Sequence, residues 1–146
     1  MDESINLLDK IKKEFDCKEV DLRTYSPLTL AFLGDCVYDI IIRTVVVERG
    51  NRAPQGLHKK KSYLVNAKTQ KELIESIQDL LTSEEEDVYR RGRNAKSYTT
   101  AKNASVGDYR KATGFEALLG YLYLNNQMDR VLFLVKEGLN RIGATV

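Results

Sequence analysis

The stretch "LAFLGDCVYDIII", from Leu30 to Ile42, decides the fold because it is the most hydrophobic segment of the chain. Its apolar residues recur every three or four positions, which is the spacing of one face of an α-helix. Ser26 followed by Pro27 is typical of a helix start with a serine cap. We therefore predict a long helix that opens at Pro27 and buries a stripe made of Leu30, Leu33, Val37, Ile40 and Ile41.

Two aspartates, Asp35 and Asp39, lie inside this apolar helix. Each residue of an α-helix turns the chain by about 100°, so residues four apart lie on the same side. Both acids are therefore predicted on one face, roughly opposite the stripe. They either line a solvated face or bind a cationic group.

The rest of the chain also has helical periodicity, and no alternating segment could pair with the short run from Val45 to Val47 as a strand. A serine at position 83 and Glu86 have the spacing of a capping box, and Gly92 suits a helix stop. The fold class that we predict is all-α. Further helices are predicted over 57–66, 68–81, 83–92, from Ser105 or Asp108 through "YRKATGFEALLGYLYL", and over 128–142, with a long polar loop from Gly92 to Gly107.

The length and composition are those of one soluble globular domain: 146 residues, 42% hydrophobic and 30% charged. We predict a single domain over 1–146, with an amphipathic N-terminal extension over 1–24. Arg43 interrupts the most hydrophobic run, so we expect no membrane helix, no signal peptide and a cytoplasmic location. Cys17 and Cys36 have no histidine at ligand spacing, which favours free thiols.

The net charge of +2 hides a segregation of basic residues. Between Arg90 and Lys111 Asp108 is the single acid, and "HKKK" (His58 to Lys61) forms a second basic group. Such clustering is typical of a face that binds nucleic acid, although a solvated basic loop has the same composition.

A third acid, Glu116, stands beside the core stripe of the second very apolar segment. That stripe consists of Phe115, Leu118, Leu119 and Leu122. Gly120, on the same flank, leaves room for another group to approach. If the two apolar helices pack together, Asp35 and Glu116 could converge, and carboxylates brought close need a proton or a cation between them. Mg²⁺ suits such oxygen ligands.

Two motifs resemble known signatures. "LAFLGDCVYD" resembles the ribonuclease III catalytic-domain signature L-E-F-L-G-D-x-V-L-E, and "ATGFEALLGYLYL" is similar to its second signature, A-D-x-F-E-A-L-I-G-A. The match is closest to the small variant called Mini-ribonuclease III, through "RRGRNAKS" followed by "FEALLGYLYL", and it covers residues 25–139.

The resemblance implies two catalytic, metal-binding acids, which fall on Asp35 and Glu116. Two other acids of the wider family are absent, since Ala31 and Thr113 stand at their positions. This reduced set favours one cation per site. Asp39 matches a position that usually carries an acid, and we expect it to support the structure or the ligands rather than bind the metal.

The resemblance also implies a helical two-fold dimer, with Phe32 and Leu33 at its axis, that binds Mg²⁺, or Mn²⁺ in its place. It implies an endoribonuclease that cleaves double-stranded RNA and matures the ends of the large-subunit (23S) ribosomal RNA precursor. The alternative is a non-catalytic helical protein that binds double-stranded RNA. A ribosomal protein is a further candidate partner, and no membrane is expected.

The wider family normally adds a separate domain that binds double-stranded RNA, and we expect this chain to lack one. Its RNA contacts must then come from the catalytic domain. A-form RNA offers phosphates and 2′-hydroxyls, which basic and small polar side chains can bind. We expect these contacts from Arg91, Arg93, Asn94, Lys96 and Lys102, and more weakly from Lys59, Lys60 and Lys61.

Overall fold

The structure is a computed structural model that describes residues 6–51, 53–96, 105–144 and 146. No strand occurs among these residues, which confirms the all-α class. Short 3₁₀ helices occupy Leu22–Thr24 and Gln78–Leu80. The α-helices are α1 (Leu7–Glu14), α2 (Pro27–Glu48), α3 (Pro54–Val65), α4 (Ala67–Ser76), α5 (Ser83–Asn94), α6 (Val106–Leu124) and α7 (Met128–Arg141).

Helices α2 and α6 form the centre of the fold, and the other long helices pack around them. As predicted, Pro27 lies in the first turn of α2 and the Ser26 side chain accepts a hydrogen bond from the Thr29 backbone N–H. The predicted stripe of α6 is almost fully buried. The core joins it to side chains of five other helices, among them Tyr38, Ile42, Leu64, Leu73, Ile74, Tyr89, Val131 and Leu134.

The buried face of α2 differs from the predicted stripe. Ile40 is 56% exposed, whereas Tyr38 and Ile42 are buried. Packing against α3 and α6 selects the Tyr38 side of the helix. Ile40 instead faces an apolar groove that also includes Leu7 and Ile11 of α1.

The boundaries of α5 also differ from the prediction. The capping box is formed by Thr82 and Glu85 rather than by the next residue pair, and the helix continues through Gly92 to Asn94. Gly92 is buried against α6, and a Cβ there would lie only 2.8 Å from the Ala117 Cβ. This glycine therefore allows close packing of the two helices instead of ending α5. The predicted loop is therefore shorter at both ends, since Val106 already begins α6.

The N-terminal helix α1 is amphipathic, and its Leu8 is buried. Both cysteines are free and exposed. Among the described residues, none of the helices combines the length and the apolar character that crossing a membrane requires.

Candidate active site

The backbones of α2 and α6 touch where two glycines face each other. A Cβ on Gly34 would lie 1.6 Å from the carbonyl oxygen of Glu116, and a Cβ on Gly120 would lie 2.0 Å from the carbonyl oxygen of Leu30. No side chain could be accommodated at either position without moving a helix. This contact places Asp35, next to Gly34, directly beside Glu116.

Two aromatic residues, one from each helix, pack against each other near this crossing. The rings of Tyr38 and Phe115 meet edge to face, with centroids 5.4 Å apart and planes at 78°. The buried Tyr38 hydroxyl donates a hydrogen bond of 2.7 Å to the Leu64 carbonyl oxygen. The site is therefore supported by a packed core and by the end of α3, which limits the movement of both acids.

The carboxyl groups of Asp35 and Glu116 lie close together. Burial, followed by the charge of Asp35 and the contact with its side chain, raises the pKa of Glu116 to about 8, and the Gln70 side chain partly offsets the rise. Two carboxyl groups in contact can share a proton or be joined by a cation. Because Asp35 is exposed and Glu116 only partly buried, the pair is open to solvent.

The donor chemistry fits a hard divalent cation, because carboxylate oxygens are the ligands that Mg²⁺ and Mn²⁺ prefer. Within the described part of the chain, no group of three His, Cys, Asp or Glu side chains could hold a metal ion. Ala31 is buried against Val88 and Ala117. The Thr113 hydroxyl donates to the Tyr109 carbonyl oxygen at 2.9 Å. At the two positions where the wider family carries acids, this chain thus has a packed alanine and a threonine that bonds within its own helix.

Asp39 lies one turn beyond Asp35 and is paired with two cations. Its carboxylate is 2.7 Å from Arg43 Nε and 3.7 Å from Lys61 Nζ. The pair with Arg43 lies within α2, and the pair with Lys61 connects α2 to α3. The supporting role of Asp39 stays a prediction.

The predicted RNA-binding residues that the structure describes lie on α3, on α5 and in the segment directly after α5. Arg91 and Lys96 are exposed, while the guanidinium of Arg93 lies over the Tyr89 ring, 5.6 Å from its centroid. Arg93 Nε also donates to Asn94 Oδ1 at 3.3 Å. In the second group, the Lys60 ammonium lies 5.9 Å from the Tyr63 ring centroid and Lys59 is exposed. Lys102 lies outside the described residues.

The two residues predicted at a dimer axis have different surroundings in the single chain. The side chain of Phe32 is 83% exposed. Leu33 is partly buried and packs against the core. An exposed phenylalanine of this kind is available for a contact with another molecule.

The sequence analysis missed one residue of the site, Gln70. The residue is only 4% exposed, and its side chain lies next to Glu116, whose pKa it lowers. The signal was present, because Gln70 shares the helical spacing of the buried residues Leu73, Ile74 and Ile77. A polar side chain in an apolar stripe is the unusual feature that could have identified it.

Comparison with known proteins agrees with this geometry. The family model described as "Ribonuclease III domain" matches residues 28–127. A crystal structure of a Fusobacterium nucleatum protein has a TM-score of 0.76 and 30% sequence identity, and the match covers 84% of this chain and 99% of that one. The fold is thus that of a ribonuclease III domain.

Curated relatives give a finer assignment. Mini-ribonuclease 3 from Enterococcus faecalis is 44% identical over 127 residues, which cover 86% of this chain and 96% of that protein. Mini-ribonuclease 3 from a Thermoanaerobacter species is 54% identical over 106 residues, or 73% of this chain and 75% of that protein. The chain belongs to the Mini-ribonuclease III group of the ribonuclease III family. It is an endoribonuclease that acts on double-stranded RNA and depends on a divalent metal.

Proposed function

We propose that Asp35 and Glu116 together bind one Mg²⁺, or Mn²⁺ in its place, and that this pair is the catalytic centre. The contact between the two carboxyl groups at the glycine crossing carries the proposal. A divalent cation there supplies Lewis acid chemistry, which activates water and stabilises charge on the leaving oxygen. The rigid helix crossing keeps the two carboxyl groups in place, so little reorganisation is needed during the reaction.

We further propose that the natural substrate is the precursor of 23S ribosomal RNA in the cytoplasm, cut by a homodimer of this chain. Two copies of the Asp35–Glu116 pair would face the two strands of one duplex. Arg91, Arg93, Asn94, Lys96 and Lys102 are proposed to bind RNA phosphates, with the three lysines of α3 as a second group. A ribosomal protein remains a further candidate partner.

The catalytic proposal is tested with Asp35→Asn and Glu116→Gln. Each change replaces an ionisable carboxyl group of the acid pair by a neutral amide with almost no change in side-chain volume. We expect each variant to lose cleavage of long double-stranded RNA in Mg²⁺ or Mn²⁺, while binding of the duplex and the circular dichroism spectrum stay close to those of the wild type.

Glu48→Gln is the matched control, because it neutralises an exposed acid at the other end of the same helix. We expect it to retain cleavage. Full activity of either Asp35→Asn or Glu116→Gln would contradict the proposed centre.

A further inference from the structure

The amide of Gln70 has an orientation that its surroundings determine. Gln70 Nε2 donates a hydrogen bond of 2.8 Å to the Val65 carbonyl oxygen. Rotating the amide by half a turn would bring two oxygens together, so the nitrogen must face this carbonyl. The same side chain lies next to the Glu116 carboxyl group.

This orientation leaves the other end of the amide unsatisfied. Gln70 Oε1 is buried and has no hydrogen-bond partner among the described residues. Buried amide oxygens in proteins are nearly always paired with a protein group, water or an ion, because leaving one unpaired is costly. The side chain is held beside Glu116, so the missing partner belongs to the acid site.

The neighbouring turn makes the position of Gln70 rigid. The Asn66 and Thr69 side chains both donate to the Tyr63 carbonyl oxygen, at 3.0 and 2.9 Å. Together with the Gln70–Val65 bond, these contacts join the end of α3 to the start of α4. A donor atom on such a support keeps its place when a ligand binds.

We propose that Gln70 Oε1 is a third oxygen donor of the cation site, beside Asp35 and Glu116. The inference rests on the proposed cation site. Amide oxygens, like carboxylates, suit hard divalent cations. The neutral oxygen adds a donor to a site that lacks two of the wider family's acids, without adding a third negative charge.

The test measures binding of Mn²⁺ alone, without RNA, by electron paramagnetic resonance of the free ion. Gln70→Met keeps the length of the side chain but removes the hard oxygen donor. We expect it to weaken Mn²⁺ binding about tenfold or more, in the range typical of residues that support a metal site. Gln70→Glu keeps an oxygen and adds a charge, so its Mn²⁺ affinity should equal or exceed that of the wild type.

Gln78→Met is the matched control, because the Gln78 amide also donates to a backbone carbonyl, that of Ile74. It should leave the Mn²⁺ affinity unchanged. Circular dichroism at the temperature of the titration identifies the folded fraction for each variant.

The results separate this inference from the proposed function. Unchanged affinity in Gln70→Met would overturn the role of Oε1 alone. Weakened binding in both Gln70 variants would also overturn it, since it would assign the effect to the lost amide hydrogens. If Glu116→Gln bound Mn²⁺ as tightly as the wild type, the cation site and the inference would both fail.

Discussion

At the scale of single residues, the acid pair has an energetic cost without a cation. Glu116 is partly buried next to a second carboxyl group, and its pKa is raised to about 8. An exposed glutamate in an unfolded chain titrates near its ordinary value of about 4.3. The metal-free protein is therefore stabilised by a proton on this residue, which a bound cation would replace.

This titration predicts how stability depends on pH. Between pH values of about 4.3 and 8, the unfolded chain has released the Glu116 proton and the folded chain still holds it. The free energy of unfolding should therefore decrease as the pH rises through this window. Urea denaturation in EDTA at several pH values measures the slope.

Glu116→Gln serves as the comparison for that slope, because an amide remains neutral throughout. Its stability should decrease less with pH, and at pH 8.5 it should exceed that of the metal-free wild type. Parallel pH profiles for the two proteins would show that Glu116 does not titrate in this window.

At the scale of elements, α3 and the C-terminal part of α5 differ in how many of their basic side chains are available for RNA. Lys61 is paired with Asp39, and Arg90 of α5 is paired with Asp87. Arg91 and Lys96 are exposed near the end of α5. We therefore expect the end of α5 to contribute more to RNA binding than α3.

Replacing Arg91, Arg93 and Lys96 together by alanine should weaken binding to an RNA duplex. Each phosphate contact releases counterions, so the loss should reduce the slope of log affinity against log salt by up to about 0.9 per contact, a value for B-DNA used as a guide. Fluorescence anisotropy with a labelled duplex, at several salt concentrations, measures both quantities.

The control replaces three exposed lysines near the N-terminus, Lys10, Lys13 and Lys18, by alanine, which changes the net charge by the same amount. Its affinity should stay close to that of the wild type. Equal losses in both triple variants would indicate a general charge effect, and no loss in the first would exclude the end of α5 from binding.

At the scale of the whole molecule, the exposed side of α2 carries large apolar side chains close to Asp35, which we propose to be catalytic. Phe32 is 83% exposed and Leu28 is 38% exposed, near Asp35. A second copy of the chain on this face would bring two acid pairs to one duplex. The proposed dimer therefore explains both the apolar surface and the cleavage of two strands.

Phe32→Glu tests that dimer. The side chain is exposed in the single chain, so the variant should fold. At an interface the same change would bury an unpaired charge, at a cost of about 3–5 kcal/mol. We expect a monomer by sedimentation at micromolar concentration, and reduced cleavage of both strands.

Val47→Glu is the control, since Val47 is 54% exposed near the other end of α2. It should remain dimeric and active. A wild type that is monomeric and still cuts both strands would contradict the proposed arrangement.

The sequence by itself determined the all-α class, the start of α2, the buried stripe of α6 and the two acids of the site. These features depend on local spacing, on a cap three residues from its partner, or on motifs whose residues lie close together in the chain. Gly120 could also be identified as a place of close approach.

Only the tertiary structure decided what approaches Gly120 and what else belongs to the site. The α2 backbone contacts α6 there, the Asp35 and Glu116 carboxyl groups meet, and Gln70 lies beside them. It also showed that Ile40 is exposed and that Gly92 lies inside a helix. The physical reason is that these outcomes depend on contacts between helices distant in sequence, whereas periodicity describes each helix alone.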